Sequence, residues 1–117
     1  MKIFIGVCLA CIVLFFGVFS LCKTLGVGTD IVNSFEVWAG GDKALHFFGA
    51  GIISAMLCYL FSYRFSANRI SFWVMGVLLI EECSQAILPN RHFNFDDIGA
   101  GCSGVLIFVL TYKLFAS

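Results

Sequence analysis

Apolar residues gather along the chain into four runs. Each approaches the roughly 20 residues that a spanning helix needs. Ile3 to Cys22 carries no charge and lies between Lys2 and Lys23. The second run covers about residues 44–63, the third about 70–88 and the fourth about 98–116. His46 is the only ionisable group inside the second run apart from its terminal tyrosines, whereas the third contains Glu81 and Glu82. Pro89 is expected to stop the third helix, because proline removes a donor and restricts the residue before it. Asp42, and Asp96 or Asp97, stand where the N-caps of the second and fourth helices would fall. In the long first connection, Thr24 to Gly41, the residues Ile31, Val32, Phe35, Trp38 and Ala39 recur at helical spacing. The polar Asp30, Asn33, Ser34 and Glu36 fall mostly on the other side. That pattern predicts a short interfacial helix anchored by Trp38 and ended by Gly40-Gly41, with an irregular loop as the alternative.

Composition sharpens the class. Hydrophobic residues make up 61% of 117 positions, charged residues 12%, and the mean hydropathy is +1.01. Soluble domains carry about 25% charge, so the fold class expected is all-α: a single polytopic membrane bundle of four transmembrane helices. Seven basic residues balance seven acidic ones. This excludes the basic footprint of a nucleic-acid binder, and the hydrophobicity excludes a disordered tail. The first run is longer than a usual signal-peptide core and no small-x-small site precedes Lys23, so it is expected to remain as an uncleaved helix.

Lys and Arg set the orientation. With four crossings, Lys2, Arg64, Arg69 and Lys113 share one side and Lys23, Lys43 and Arg91 the other, which places both termini in the cytoplasm. The six cysteines lie in or beside the apolar runs. Cys8-x-x-Cys11 has no partner pair at metal-ligand spacing, so packed thiols are expected, with no disulfide, no metal site and no cofactor.

Ionisable groups in apolar runs are costly in lipid and face a bundle interior by default. Asp42, Lys43 and His46 open the second helix. Glu81, Glu82 and Gln85 lie toward the end of the third. Arg91, His92, Asp96 and Asp97 fill the following connection and the start of the fourth. All three groups belong to one side of the membrane. His46 lies about 6 Å along the helix from Asp42, and Glu82 about 10 Å before Pro89, so both reach one shallow pocket. Capping by the aspartates, lipid contact by Arg91 and a static Glu82–Arg91 tie are the non-catalytic alternatives.

At these residues the sequence resembles the VanZ-like family of small bacterial membrane proteins. The resemblance rests on Asp42-Lys43-Ala44-Leu45-His46, on Glu82-Cys83-Ser84-Gln85, and on Arg91 followed by Asp97, each at its expected helix end. It covers about residues 42–104. Gly104 matches a family glycine, while Gly101 stands where the family usually has Asn, so any hydrogen bond of that amide is absent. The resemblance implies a multi-pass protein of the bacterial cytoplasmic membrane acting at the cell envelope, in the setting of glycopeptide resistance, and names no reaction.

Three functions compete at this stage. The first is binding of a polar or anionic headgroup at the outer face, on a membrane lipid, a lipid-linked wall precursor or a lipoglycopeptide. Asp42, Lys43, Gln85, Arg91 and Asp97 would serve as binding residues. The second is an enzyme using His46 and Glu82 as acid and base. The third is a small transporter or assembly subunit, its helices or a homo-oligomer pairing through Gly6/Ala10, Gly51/Ala55 and Ala100/Gly104.

Overall fold

The computed structural model describes residues 1–88 and 95–116, and of Asp42 the backbone alone. Among the described residues the chain forms five helices and no strand: α1 (Lys2–Leu25), α2 (Thr29–Trp38), α3 (Asp42–Phe61), α4 (Ala67–Gln85) and α5 (Phe95–Ala116). Three of them, α1, α3 from Lys43 onward, and α5, are long and apolar enough to cross a membrane. The fourth expected span corresponds to α4. It is 19 residues long, and every 18-residue stretch of it contains Arg69, Glu81 and Glu82, whereas α1, α3 and α5 each offer one with fewer charges.

The predicted boundaries move in instructive ways. The helix α4 starts at Ala67, where the Ser66 hydroxyl accepts the Arg69 backbone N–H at 3.2 Å. It ends at Gln85, before Pro89 is reached. There the backbone tightens, as Ala86 and Ile87 donate to the carbonyls of Cys83 and Ser84 and the Ser84 hydroxyl donates to that of Glu81. Bonds of this i−3 kind commonly close a helix. Asp96 and Asp97 are not N-caps: α5 begins at Phe95 and both acids sit in its first turn. Carboxylates are favourable there as well, because the exposed N–H groups carry partial positive charge. Asp42 likewise is the first helical residue, with Gly41 in the cap position. Gly40 and Gly41 have φ of 103° and 109°, a conformation that only glycine adopts without strain, and they turn the chain from α2 into α3.

The helix expected in the first connection is present as α2, with only part of its apolar set covered by the chain. Val32 is buried, and the Phe35 ring packs edge-on against Phe15 and Phe19 of α1. Ile31, Val37 and Trp38 stay exposed.

Contacts between distant residues fix the topology. Phe47 lies against Gly104, Gly51 against Phe108, and the Tyr112 hydroxyl donates to the Cys58 carbonyl at 3.3 Å. The order is the same along both chains, so α3 and α5 run parallel. Between them in sequence, α4 runs antiparallel: its Asn68 meets Lys113 at one end, and its Glu82 meets His46 and Asp97 at the other. Helix α1 is antiparallel to α3, with the Lys2 ammonium 5.4 Å from the Tyr63 ring and Phe16 pressed on Gly49. It packs on α2 and α3, and none of its Cα atoms lies within 8 Å of one in α4.

Packing is closest between α3 and α5. A Cβ on Gly104 would lie 2.0 Å from the Phe47 carbonyl oxygen, and one on Gly51 2.9 Å from the Gly104 carbonyl oxygen. Backbone meets backbone here, as expected where lipid removes the hydrophobic drive and small residues let helices approach. Gly51 and Gly104 therefore spend their small size inside the chain. Gly6 meets nothing within 4 Å. The core is built of modest side chains, Ala50, Cys58, Ile70, Val105 and Val109, while large ones such as Phe4, Leu14, Phe72, Trp73 and Phe115 face outward. That inversion suits a lipid surround. The longest extent of the molecule, 43 Å, equals a bilayer with its headgroup layers.

Candidate functional site

Alternating helix directions bring the end of α1, the start of α3, the end of α4 and the start of α5 to one end of the bundle. His46, Glu82 and Asp97 meet there, one from each of α3, α4 and α5, with a ligand-type atom of each within 4.8 Å of the others. The His46 Nε2 is 3.8 Å from Asp97 Oδ2. Glu82, Gln85 and Asp97 are only 3%, 4% and 6% exposed, so the polar groups form the closed end of the core. The dielectric is low in such a place, and each charge acts on its neighbours more strongly than at a surface.

The adjacent acids part company. Glu82 turns into the cluster, whereas Glu81 is exposed, and the Gln85 amide donates to Glu81 Oε1 at 3.3 Å. One position along a helix is a rotation of about 100°, which is enough to place one acid inside and the other at a mouth. Lys43 is exposed at the start of α3. The Asp42 side chain and Arg91, both expected at this site, lie outside the described residues. Gly101 is buried one turn past Asp97, and a Cβ there would meet Leu78 of α4 at 3.0 Å. The usual family Asn at this position would thus project into the α4–α5 contact.

Beside the cluster lies a cavity of about 550 Å³ walled by α1, α3 and α4. Ser20, Lys23, His46 and Glu81 line its polar part, and Phe16, Leu57 and Trp73 belong to the apolar remainder. Its α3 wall runs from Leu45 to Leu57, a length of about 18 Å at 1.5 Å per residue. No Cα of α1 lies within 8 Å of one in α4, and the cavity occupies the space between these two helices. The Lys23 ammonium is ion-paired with Glu36 of α2 near the polar end. His46 belongs to both features, lining the cavity while standing beside the buried carboxylates.

Sequence reasoning missed two things. It used Lys23 as the flank of a span and in the orientation count and did not weigh it as a site residue, although counting crossings already put it on the same side as His46. It also considered metal ligands through cysteine spacing alone, and so did not weigh a His-Glu-Asp set drawn from three helices. All six cysteines are free thiols, with Cys58 buried in the core.

No curated protein and no solved structure matches the chain significantly. A family model described as VanZ/LLP1 matches residues 3–116, nearly the whole chain, and its span takes in every helix that builds the cluster and the cavity. The chain is therefore a member of the VanZ/LLP1 family, a membrane protein of the VanZ-like kind.

Proposed function

We propose that this protein binds an amphiphile of the bacterial cell envelope, holding its apolar chain in the α1–α3–α4 cavity and its polar or anionic headgroup at the His46 end. The observation that carries this reading is the cavity itself: a mostly apolar slot walled by α1, α3 and α4, with Ser20, Lys23, His46 and Glu81 gathered at one end only. A lipid-linked wall precursor or a lipoglycopeptide has the matching form. Lys23, shared with Glu36, and Lys43, exposed at the start of α3, are the cations at that end for phosphate or carboxylate, and Gln85 donates to Glu81 beside them.

The reading includes four crossings in the cytoplasmic membrane. Parallel α3 and α5 both have spanning character, and α4 reaches from the Lys113 end of the bundle to the His46 end. A chain that crosses twice in one direction must return between. Both termini are then cytoplasmic, and the His46 end faces outward. In a cysteine-free background, Ser34→Cys is expected to react with a membrane-impermeant maleimide on intact cells, and Ser62→Cys only after permeabilisation. The reverse pattern would invert the orientation; labelling of both on intact cells would mean that α3, which separates them, does not cross.

Binding is tested by native mass spectrometry of the purified chain in detergent with a polyprenyl phosphate, the corresponding polyprenyl alcohol and a lipoglycopeptide. Retention of phosphate over alcohol is expected. Leu57→Trp, which fills the slot, is expected to weaken binding by about tenfold, the equivalent of roughly 1.4 kcal/mol. Equal retention of the two polyprenyl compounds would remove the headgroup role, and unchanged binding in Leu57→Trp would remove the cavity.

A second reading has one specific observation behind it. His46 faces the cavity with the buried Glu82 carboxylate within 4.8 Å, a pairing suited to proton transfer. In that reading His46 and Glu82 act as acid and base on the bound amphiphile, and a changed lipid or muropeptide product in cells carrying the intact gene selects it.

A further inference from the structure

We infer that His46, Glu82 and Asp97 form a binding site for a divalent cation. The donor set is one imidazole nitrogen and two carboxylate oxygens, each carried on a different helix. All three converge within 4.8 Å, and the closest given pair is 3.8 Å apart. Ligand atoms placed about 2.1 Å from a tetrahedral ion lie about 3.4 Å from one another, so small side-chain rotations bring the set to coordination distance. Rigid helices rather than loops hold the donors, which favours a defined geometry.

Charge points the same way. Glu82 and Asp97 are both nearly fully buried. Two carboxylates brought together in a low-dielectric place repel, and a dication placed between them lowers that repulsion. Imidazole with carboxylates suits Mn²⁺, Fe²⁺ and Zn²⁺, and the carboxylates favour the harder members. Three protein ligands leave coordination positions open, as in catalytic rather than structural sites. Because His46 also lines the cavity, an open position there is within reach of an anionic group held at the polar end. The site stands on these three side chains and does not depend on which amphiphile the cavity takes.

The test is a titration of the chelator-stripped, detergent-purified chain with Mn²⁺ alone, with free ion followed by electron paramagnetic resonance. Mn²⁺ is chosen because thiolates compete poorly for it. One ion per chain is expected, together with a rise in melting temperature of the unaltered protein on adding Mn²⁺. Spin-echo modulation from an imidazole nitrogen should be present and should vanish in His46→Gln. Asp97→Asn is expected to weaken binding by at least about tenfold, and Asp30→Asn, on the exposed face of α2, to leave it unchanged. No bound Mn²⁺ in the unaltered protein overturns the site. So does binding that raises no melting temperature and shows no nitrogen modulation; neither readout relies on an acid variant folding. Since no lipid is present, the outcome is separate from that of amphiphile binding.

Discussion

Gly104→Val is expected to lower the melting temperature in detergent by roughly 10 °C, corresponding to about 3 kcal/mol for an overpacked interior. A Cβ at this position would lie 2.0 Å from the Phe47 carbonyl oxygen and 2.8 Å from its carbonyl carbon. Those atoms belong to the α3 backbone and have no rotamer into which to retreat. The only relief is to part α3 from α5, and that also separates His46 from Asp97 and the Tyr112 hydroxyl from the Cys58 carbonyl. Gly104→Ala should follow the same direction. Gly76→Ala is the control: nothing stands within 4 Å of the added atom, and alanine is the better helix former. Equal melting temperatures for Gly104→Val and Gly76→Ala would mean that the two helices do not meet as described.

The second large effect is a division between neighbours. Glu82→Gln keeps the size of the side chain but removes its charge from a nearly sealed place shared with His46 and Asp97. Removing one member of a buried polar set leaves the others short of a partner, at a cost of about 1–3 kcal/mol. This variant is therefore expected to lose at least about tenfold in amphiphile retention, and to lose any envelope phenotype the intact gene confers, while still accumulating in the membrane. Glu81→Gln should be milder, because its carboxylate is exposed and the replacement amide can still accept from Gln85. Full function in Glu82→Gln with loss in Glu81→Gln would reverse the two roles. Failure of both proteins to accumulate would assign the acids to assembly instead.

Much of this was readable in the residues, for identifiable reasons. Apolar runs report helices directly, because backbone groups in lipid must be satisfied within their own segment. Spacing resolved the amphipathic α2, since Val32 and Phe35 recur on one face. Counting crossings placed His46, Glu82 and Asp97 at a common end. Ends of helices were less legible. The closing of α4 at Gln85 depends on a Ser84 side-chain bond and on i−3 backbone bonds, which leave no periodic trace. The burial of Asp97 was harder still, because a carboxylate in a first turn is favourable whether it caps, faces water or faces inward; only the rotation of α5 against α3 decides. The cavity was not readable at all. It arises where α1 packs on α3 while its backbone stays more than 8 Å from that of α4, and this is a property of packing rather than of any single segment.

Because α3 makes its closest contacts with α5, synthesis delivers α3 and α4 to the membrane before the helix that completes them. Until α5 arrives, the surface around Gly51 has no facing glycine and Glu82 lacks Asp97 as its neighbour. A polypeptide released early, after α4, would carry a carboxylate within its hydrophobic part and an unfilled helix face. Such features mark a membrane chain for retention by insertion factors or for proteolysis. Completion of the bundle therefore waits on the last helix, and nonsense mutations between Gln85 and the start of α5 should leave no stable remnant to interfere with intact copies.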